Sequence, residues 1–148
     1  MNEINSPRFG GSEVFLLHEL VSRLDGFSRR RTLGPLGLTF AEFMILLGIQ
    51  FCAPSTQEAV GNFASMSKSL VSQRVGVMVK KGLVFQERNS SDRREVFLRL
   101  TTEGLGKLSK SQSQLNQSSE TLLGHLGTDR EAFRSALVTL IEVLKNEE

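Results

Sequence analysis

The chain has no tryptophan and no tyrosine, and among its 148 residues there are only one cysteine, two histidines and three prolines. Each shortage removes a class of answer. A single thiol, Cys52, forms no intramolecular disulfide, so a reducing compartment, the cytoplasm, is expected. His18, Cys52 and His125 stand apart, without a C-x-x-C or H-x-x-x-H pair, and offer no metal-binding set. With no tyrosine or tryptophan to line a substrate cleft, and no glycine-rich phosphate loop or G-x-S-x-G elbow, nothing marks an enzyme and no cofactor is implied. No apolar run approaches the ~20 residues that span a bilayer, and no apolar segment follows a basic one near the start, so neither membrane nor leader is expected.

What is present is unevenly placed. Residues 55–101 carry eight Lys or Arg against four Asp or Glu, whereas residues 1–54 balance at five against five and residues 102–148 carry five against seven. The positive excess sits mid-chain, where a polyanion would be held. Three segments open with a hydroxyl residue followed three positions later by Glu: Thr39…Glu42, Ser55…Glu58 and Thr128…Glu131. Each spacing predicts a capping box, and so a helix start. The helix from Thr39 to about Cys52 is apolar almost all round and is expected inside the domain, stopped by Pro54. A short helix from Ser55 to about Ala64 turns its Val60, Phe63 and Ala64 inward. After a turn near Ser65 and Met66, helical period continues from Ser67 to Lys81 and ends at Gly82.

That third helix has two faces at 100° per residue. Val71, Val75, Met78 and Val79 are expected to pack inward, and Ser69, Ser72, Gln73, Gly76 and Lys80 to face outward. An ordinary solvated face favours Glu, Lys and Gln, yet no acidic residue lies between Ser67 and Lys81. Short hydroxyl and amide groups with only cationic charge suit insertion into the major groove of DNA. Two alternating runs follow, Leu83–Arg88 and Val96–Thr101, separated by the turn chemistry of Asn89-Ser90-Ser91-Asp92. The order is helix-turn-helix then hairpin, a winged helix over residues 35–101, with Asp92, Arg93 and Arg94 at a tip suited to a narrow minor groove. The fold class is therefore mainly α with a minor β part.

Residues 12–34 and 102–148 read as helical. Val14, Leu17, Val21 and Leu24 mark one face, and Leu108, Leu115 and Leu122 a thin heptad stripe broken by Gln112 and Ser119. Phe133, Leu137, Leu140, Ile141 and Leu144 mark a strong terminal face. With no sheet to absorb these faces, a homodimer through the terminal helices is expected. Residues 1–11 have no period and are expected to be mobile.

Several strings are similar to those of the MarR family of bacterial transcription regulators. They are Pro35-Leu36-Gly37-Leu38-Thr39 before the second helix, Lys81-Gly82-Leu83-Val84 after the reading helix, and Asp92-Arg93-Arg94 followed by Val96, Leu98, Leu100, Thr101 and Gly104. The resemblance covers about residues 12–146. It implies a homodimer whose first, fifth and sixth helices interlock into one lobe, with two winged domains straddling a pseudo-palindromic duplex operator. By the same resemblance Arg94 is the D-x-R arginine, Asp92 its partner and Arg93 an added cation. Ser69, Ser72 and Gln73 match the base-reading face, Lys68 and Arg74 fit phosphate, and Ser67 joins them at the helix start. Arg74 lies off the outward face. Many members release DNA on binding a small aromatic compound and others respond to thiol oxidation, although Cys52 reads as a small packed hydrophobe. A winged helix that docks protein instead of DNA is the competing reading.

Overall fold

The computed structural model describes residues 12–92 and 94–147; the segment 1–11, expected to be mobile, and Arg93 at the wing tip lie outside the described residues. In order the elements are α1 (Glu13–Arg31), a 3-10 turn (Gly34–Leu36), α2 (Phe40–Phe51), α3 (Gln57–Ala64) and α4 (Lys68–Lys80). Then come β1 (Val84–Arg88), β2 (Val96–Leu100), α5 (Thr102–Gly124), a second 3-10 turn (Gly127–Asp129) and α6 (Arg130–Lys145). The chain divides into two compact units, Met1–Gln112 and Ser113–Glu148.

In the first unit α2 is the central post. Its capping box is complete: Thr39 Oγ1 accepts from Glu42 N at 3.2 Å and Glu42 Oε2 accepts from Thr39 N at 2.9 Å. Ile45 and Leu46 of α2, Val60 of α3, Val71, Val75 and Met78 of α4, and Leu83, Leu98 and Leu108 all have no measurable solvent exposure. One core therefore holds α2, the helix-turn-helix, the wing and the start of α5, by burial of aliphatic surface. Gly48 sits where α2 meets α3, since a Cβ there would lie 3.1 Å from Val60 and Phe63.

The wing is a two-stranded antiparallel sheet, β1 to β2, running from Val84↔Leu100 to Arg88↔Val96. Its root is tied twice. Leu98 N donates to Ser55 O at 2.8 Å and Ser55 Oγ donates to Leu98 O at 2.6 Å, so the entry to α3 adds an edge contact to β2. Thr101 Oγ1 donates to Gly82 O at 2.6 Å and accepts from Gly104 N at 2.9 Å, which caps α5 and clasps the end of α4 at once. Gly104 is required there, because a Cβ would fall 2.0 Å from Leu83 O.

The second unit contains the end of α5 and α6. The Arg130 guanidinium grips Glu120 with both oxygens, at 2.6 and 2.9 Å. That forked contact lowers the Glu120 carboxyl below its ordinary range.

Several expectations need correction. Only the first of three capping boxes forms. Ser55 is drawn into the wing root, and Thr56 caps α3 instead by accepting from Ala59 N at 3.1 Å. Thr128 lies within a 3-10 turn, and α6 starts at Arg130 after Asp129, with no side-chain cap. Phe63, Val79 and Phe40, expected inside, are 40%, 41% and 53% exposed. A helix carrying more apolar residues than its buried face holds leaves the surplus at the margin.

Candidate nucleic-acid interface

The turn between α3 and α4 is set by backbone geometry. Ser65 closes α3 in the left-handed region at φ 52°. Gly61 leaves room for the turn, since a Cβ would stand 3.0 Å from Met66 O and 3.3 Å from Val71 Cγ2. Ser67 then caps α4, its Oγ accepting from Leu70 N at 3.3 Å. The hydroxyl of Ser67 thus has a structural task at the helix head.

With Val71, Val75 and Met78 buried, the opposite side of α4 is fixed. Ser69, Ser72, Gln73, Gly76 and Lys80 are all exposed, as is Lys68 in the first turn. No acidic side chain belongs to α4. The first turn joins unpaired backbone N–H groups to a lysine, a combination that attracts anions. Arg74 is only half-buried and leans toward the core side; its Nε is buried and has no acceptor among the described residues.

The wing tip is shaped by side chains other than arginine. Asn89 N donates to Glu95 O at 3.0 Å, Asn89 Oδ1 accepts from Ser91 N at 2.9 Å, and Asn89 Nδ2 donates to Glu95 Oε2 at 2.8 Å. Asp92 Oδ1 accepts the backbone N–H of Arg94 at 2.9 Å, and Asp92 O accepts from Glu95 N at 3.0 Å. Asp92 therefore closes the turn, and no ion pair joins it to the Arg94 guanidinium. Arg94 is exposed, with its charge directed to solvent. Farther down the hairpin Arg99 is committed to Glu87 at 2.8 Å and lies over the Phe97 ring at 5.7 Å. Of the nine expected site residues, seven are exposed, Arg74 is half-buried, and Arg93 lies outside the described residues.

One contact beside the site joins residues 39 positions apart. Lys81 Nζ, at the end of α4, donates to Glu42 Oε1 at 2.8 Å and to Gly37 O at 3.2 Å. Glu42 is buried, with a side chain 2% exposed, whereas that of Lys81 is 39% exposed. Burial raises the Glu42 carboxyl, but the hydrogen bonds and charge of Lys81 and the Thr39 N–H outweigh it and hold the group below its ordinary value. The latch ties the C-terminus of the outward-facing helix to the N-terminus of α2. A lone Glu in the apolar run TFAEFMILLGIQF was the available signal, since a buried carboxylate needs a cation.

Among the described residues no helix is long and apolar enough to cross a membrane, and no three His, Cys, Asp or Glu side chains gather to hold a metal.

A model of the MarR family matches residues 36–95. No curated protein matches the sequence. Solved structures share the fold over nearly the whole chain. The PcaV transcriptional regulator from Streptomyces coelicolor, in complex with its natural ligand, is 19% identical with a TM-score of 0.75, covering 96% of this chain and 95% of its own. A MarR variant from E. coli complexed with operator DNA is 24% identical with a TM-score of 0.73, covering 95% and 98%. The MepR–DNA complex from S. aureus is 17% identical with a TM-score of 0.77, covering 94% and 99%. The helix-turn-helix and wing, residues 36–95, thus match the model of the MarR family, and the chain as a whole shares the winged-helix fold of these solved structures.

Proposed function

We propose that this chain is a cytoplasmic transcription regulator that binds a pseudo-palindromic duplex operator as a homodimer and represses transcription from it. The observation that carries the reading is the set of exposed outward residues of α4, Ser69, Ser72, Gln73, Gly76 and Lys80, small or polar and free of acid, beside an exposed arginine at the wing tip. Ser69, Ser72 and Gln73 address base edges in the major groove, where an amide pairs with adenine and a hydroxyl with either base or phosphate. Ser67, Lys68 and Arg74 address phosphates, and the half-buried position of Arg74 suits a backbone contact better than a base. Arg93 and Arg94 enter the minor groove on a tip shaped by Asp92. That MarR and MepR were crystallised with DNA supports the assignment.

The helical parts, residues 12–34 and 102–148, serve dimerisation. Val14, Leu17, Val21 and Leu24 of α1 are 38–59% exposed, and Leu140, Ile141 and Leu144 of α6 are 49–66% exposed. Apolar faces of this extent are covered in a stable soluble protein, and a second copy supplies the cover. Control by a small aromatic ligand is the remaining part of the reading; it acts only if the compound favours one separation of the two wings. The ligand-bound PcaV structure and the exposed Phe27 and Phe40 support it.

The deciding experiment selects duplex DNA from a random pool and measures affinity for the winner against salt. A defined inverted-repeat sequence with a steep salt slope is expected. Binding with no sequence preference, or none at all, overturns the assignment and leaves the winged helix as a protein-docking module.

A further inference from the structure

Two neighbours on α4 have no role so far, Gly76 and Val77. A Cβ at Gly76 would meet nothing within 4 Å, and its φ is not positive, so neither packing nor backbone conformation requires glycine there. A helix interior is destabilised by such a glycine relative to alanine, and the fold gains nothing in return. Val77 is 40% exposed although Val71, Val75 and Met78 are fully buried. It lies one turn beyond Gln73, about 40° around the helix from it, on the side away from the core. β-branched residues are poor choices for an exposed helix face. Two adjacent choices against helix stability, both on the outward side and neither explained by packing, point to an external contact.

The chemistry of the major groove identifies that contact. A valine offers only methyl groups, and among the four bases only thymine presents a methyl in the groove, at C5. The absent side chain at Gly76 opens a recess beside Val77, so the helix backbone comes close enough for methyl to meet methyl. The four residues from Gln73 to Val77 advance about 6 Å along the helix and one base pair about 3.4 Å, so this contact falls one to two base pairs from the adenine read by Gln73. We propose that Val77, in the recess left by Gly76, is a specificity-determining residue that takes the C5 methyl of a thymine next to the base addressed by Gln73. The proposal rests on the DNA-binding reading above and adds a contact that reading lacks.

The test uses the full-length protein and the duplex it selects. Each thymine is replaced singly by deoxyuridine, which removes the C5 methyl and nothing else. The expected result is one thymine per half-site whose replacement weakens wild-type binding about fourfold, the worth of one buried methyl. Val77→Ala loses as much on unmodified DNA and loses nothing further with uridine at that position. Gly76→Ala raises the thermal midpoint by about 2–4 °C while weakening DNA binding. Selected DNA whose thymines all tolerate uridine, or a methyl effect that persists in Val77→Ala, overturns this assignment alone. Failure to select any sequence overturns the DNA-binding reading and this assignment with it.

Discussion

Replacing Lys81 by methionine isolates the latch between α4 and α2. The substitution keeps the aliphatic stem and removes the ammonium that donates to Glu42 Oε1 and Gly37 O. The Glu42 carboxylate, 2% exposed, is left with the Thr39 N–H alone. Removing one partner of a fully buried pair costs about 3–5 kcal/mol. Here the lysine end is 39% exposed, so water already screens the pair and refills part of the gap, and about 2 kcal/mol is expected at neutral pH. Glu42→Gln keeps an acceptor for Thr39 N and costs less, about 1 kcal/mol. The double variant loses less than the sum, because the second change removes a group already without its partner. Urea unfolding at fixed protein concentration, with unchanged slope, measures all three. The pH dependence has a definite sign. Because the folded-state Glu42 carboxyl is held below its ordinary value of 4.5, its contribution is complete above that pH and disappears as pH falls through the lower folded-state value. The gap between wild type and Lys81→Met therefore narrows under acid. A difference below about 0.5 kcal/mol at pH 7, or one that stays constant into acid, would refute the reasoning.

Further consequences are checked by simpler means. Gly104→Ala sets a Cβ 2.0 Å from Leu83 O at the wing root, so a loss above about 4 kcal/mol or insoluble protein is expected by thermal melting. Ser55→Ala leaves Leu98 O without its side-chain donor in a buried position, costing about 1–3 kcal/mol by the same assay, whereas a solvated cap would cost less. Arg94→Ala leaves the melting midpoint unchanged, since Asp92 and Asn89 shape the tip; it weakens DNA binding and lowers the salt slope by about one unit. Asp92→Ala acts through the turn and so still weakens binding when Arg94 is already alanine. Sedimentation of the intact chain at micromolar concentration gives a dimer; a monomer would remove the proposed cover for α1 and α6.

Local chemistry and period were enough to read most of this fold from the sequence. The Thr39–Glu42 box, the helix stop at Gly82, the Asn- and Asp-rich wing turn and the alternation through Val96, Leu98 and Leu100 depend on neighbours within a few residues. The buried and outward faces of α4 follow from helix periodicity, and Val71, Val75 and Met78 occupy the side that periodicity assigns them. Surplus apolar residues such as Val79 and Phe63 escaped this reading, because period says which side a residue takes and not how wide the buried strip is.

Competition between partners was settled only by tertiary structure. A serine hydroxyl can cap its own helix or donate to a carbonyl far away. Ser55 takes Leu98 O, 43 residues on, because β2 arrives beside it, and the cap passes to Thr56. Glu42 completes a local box and also holds Lys81 across 39 residues. Sequence marks that carboxylate as needing a cation but names no lysine. Periodicity and caps are encoded locally, so sequence alone determined the elements and their faces; long-range hydrogen bonds depend on which elements meet, and that is decided when the common core closes.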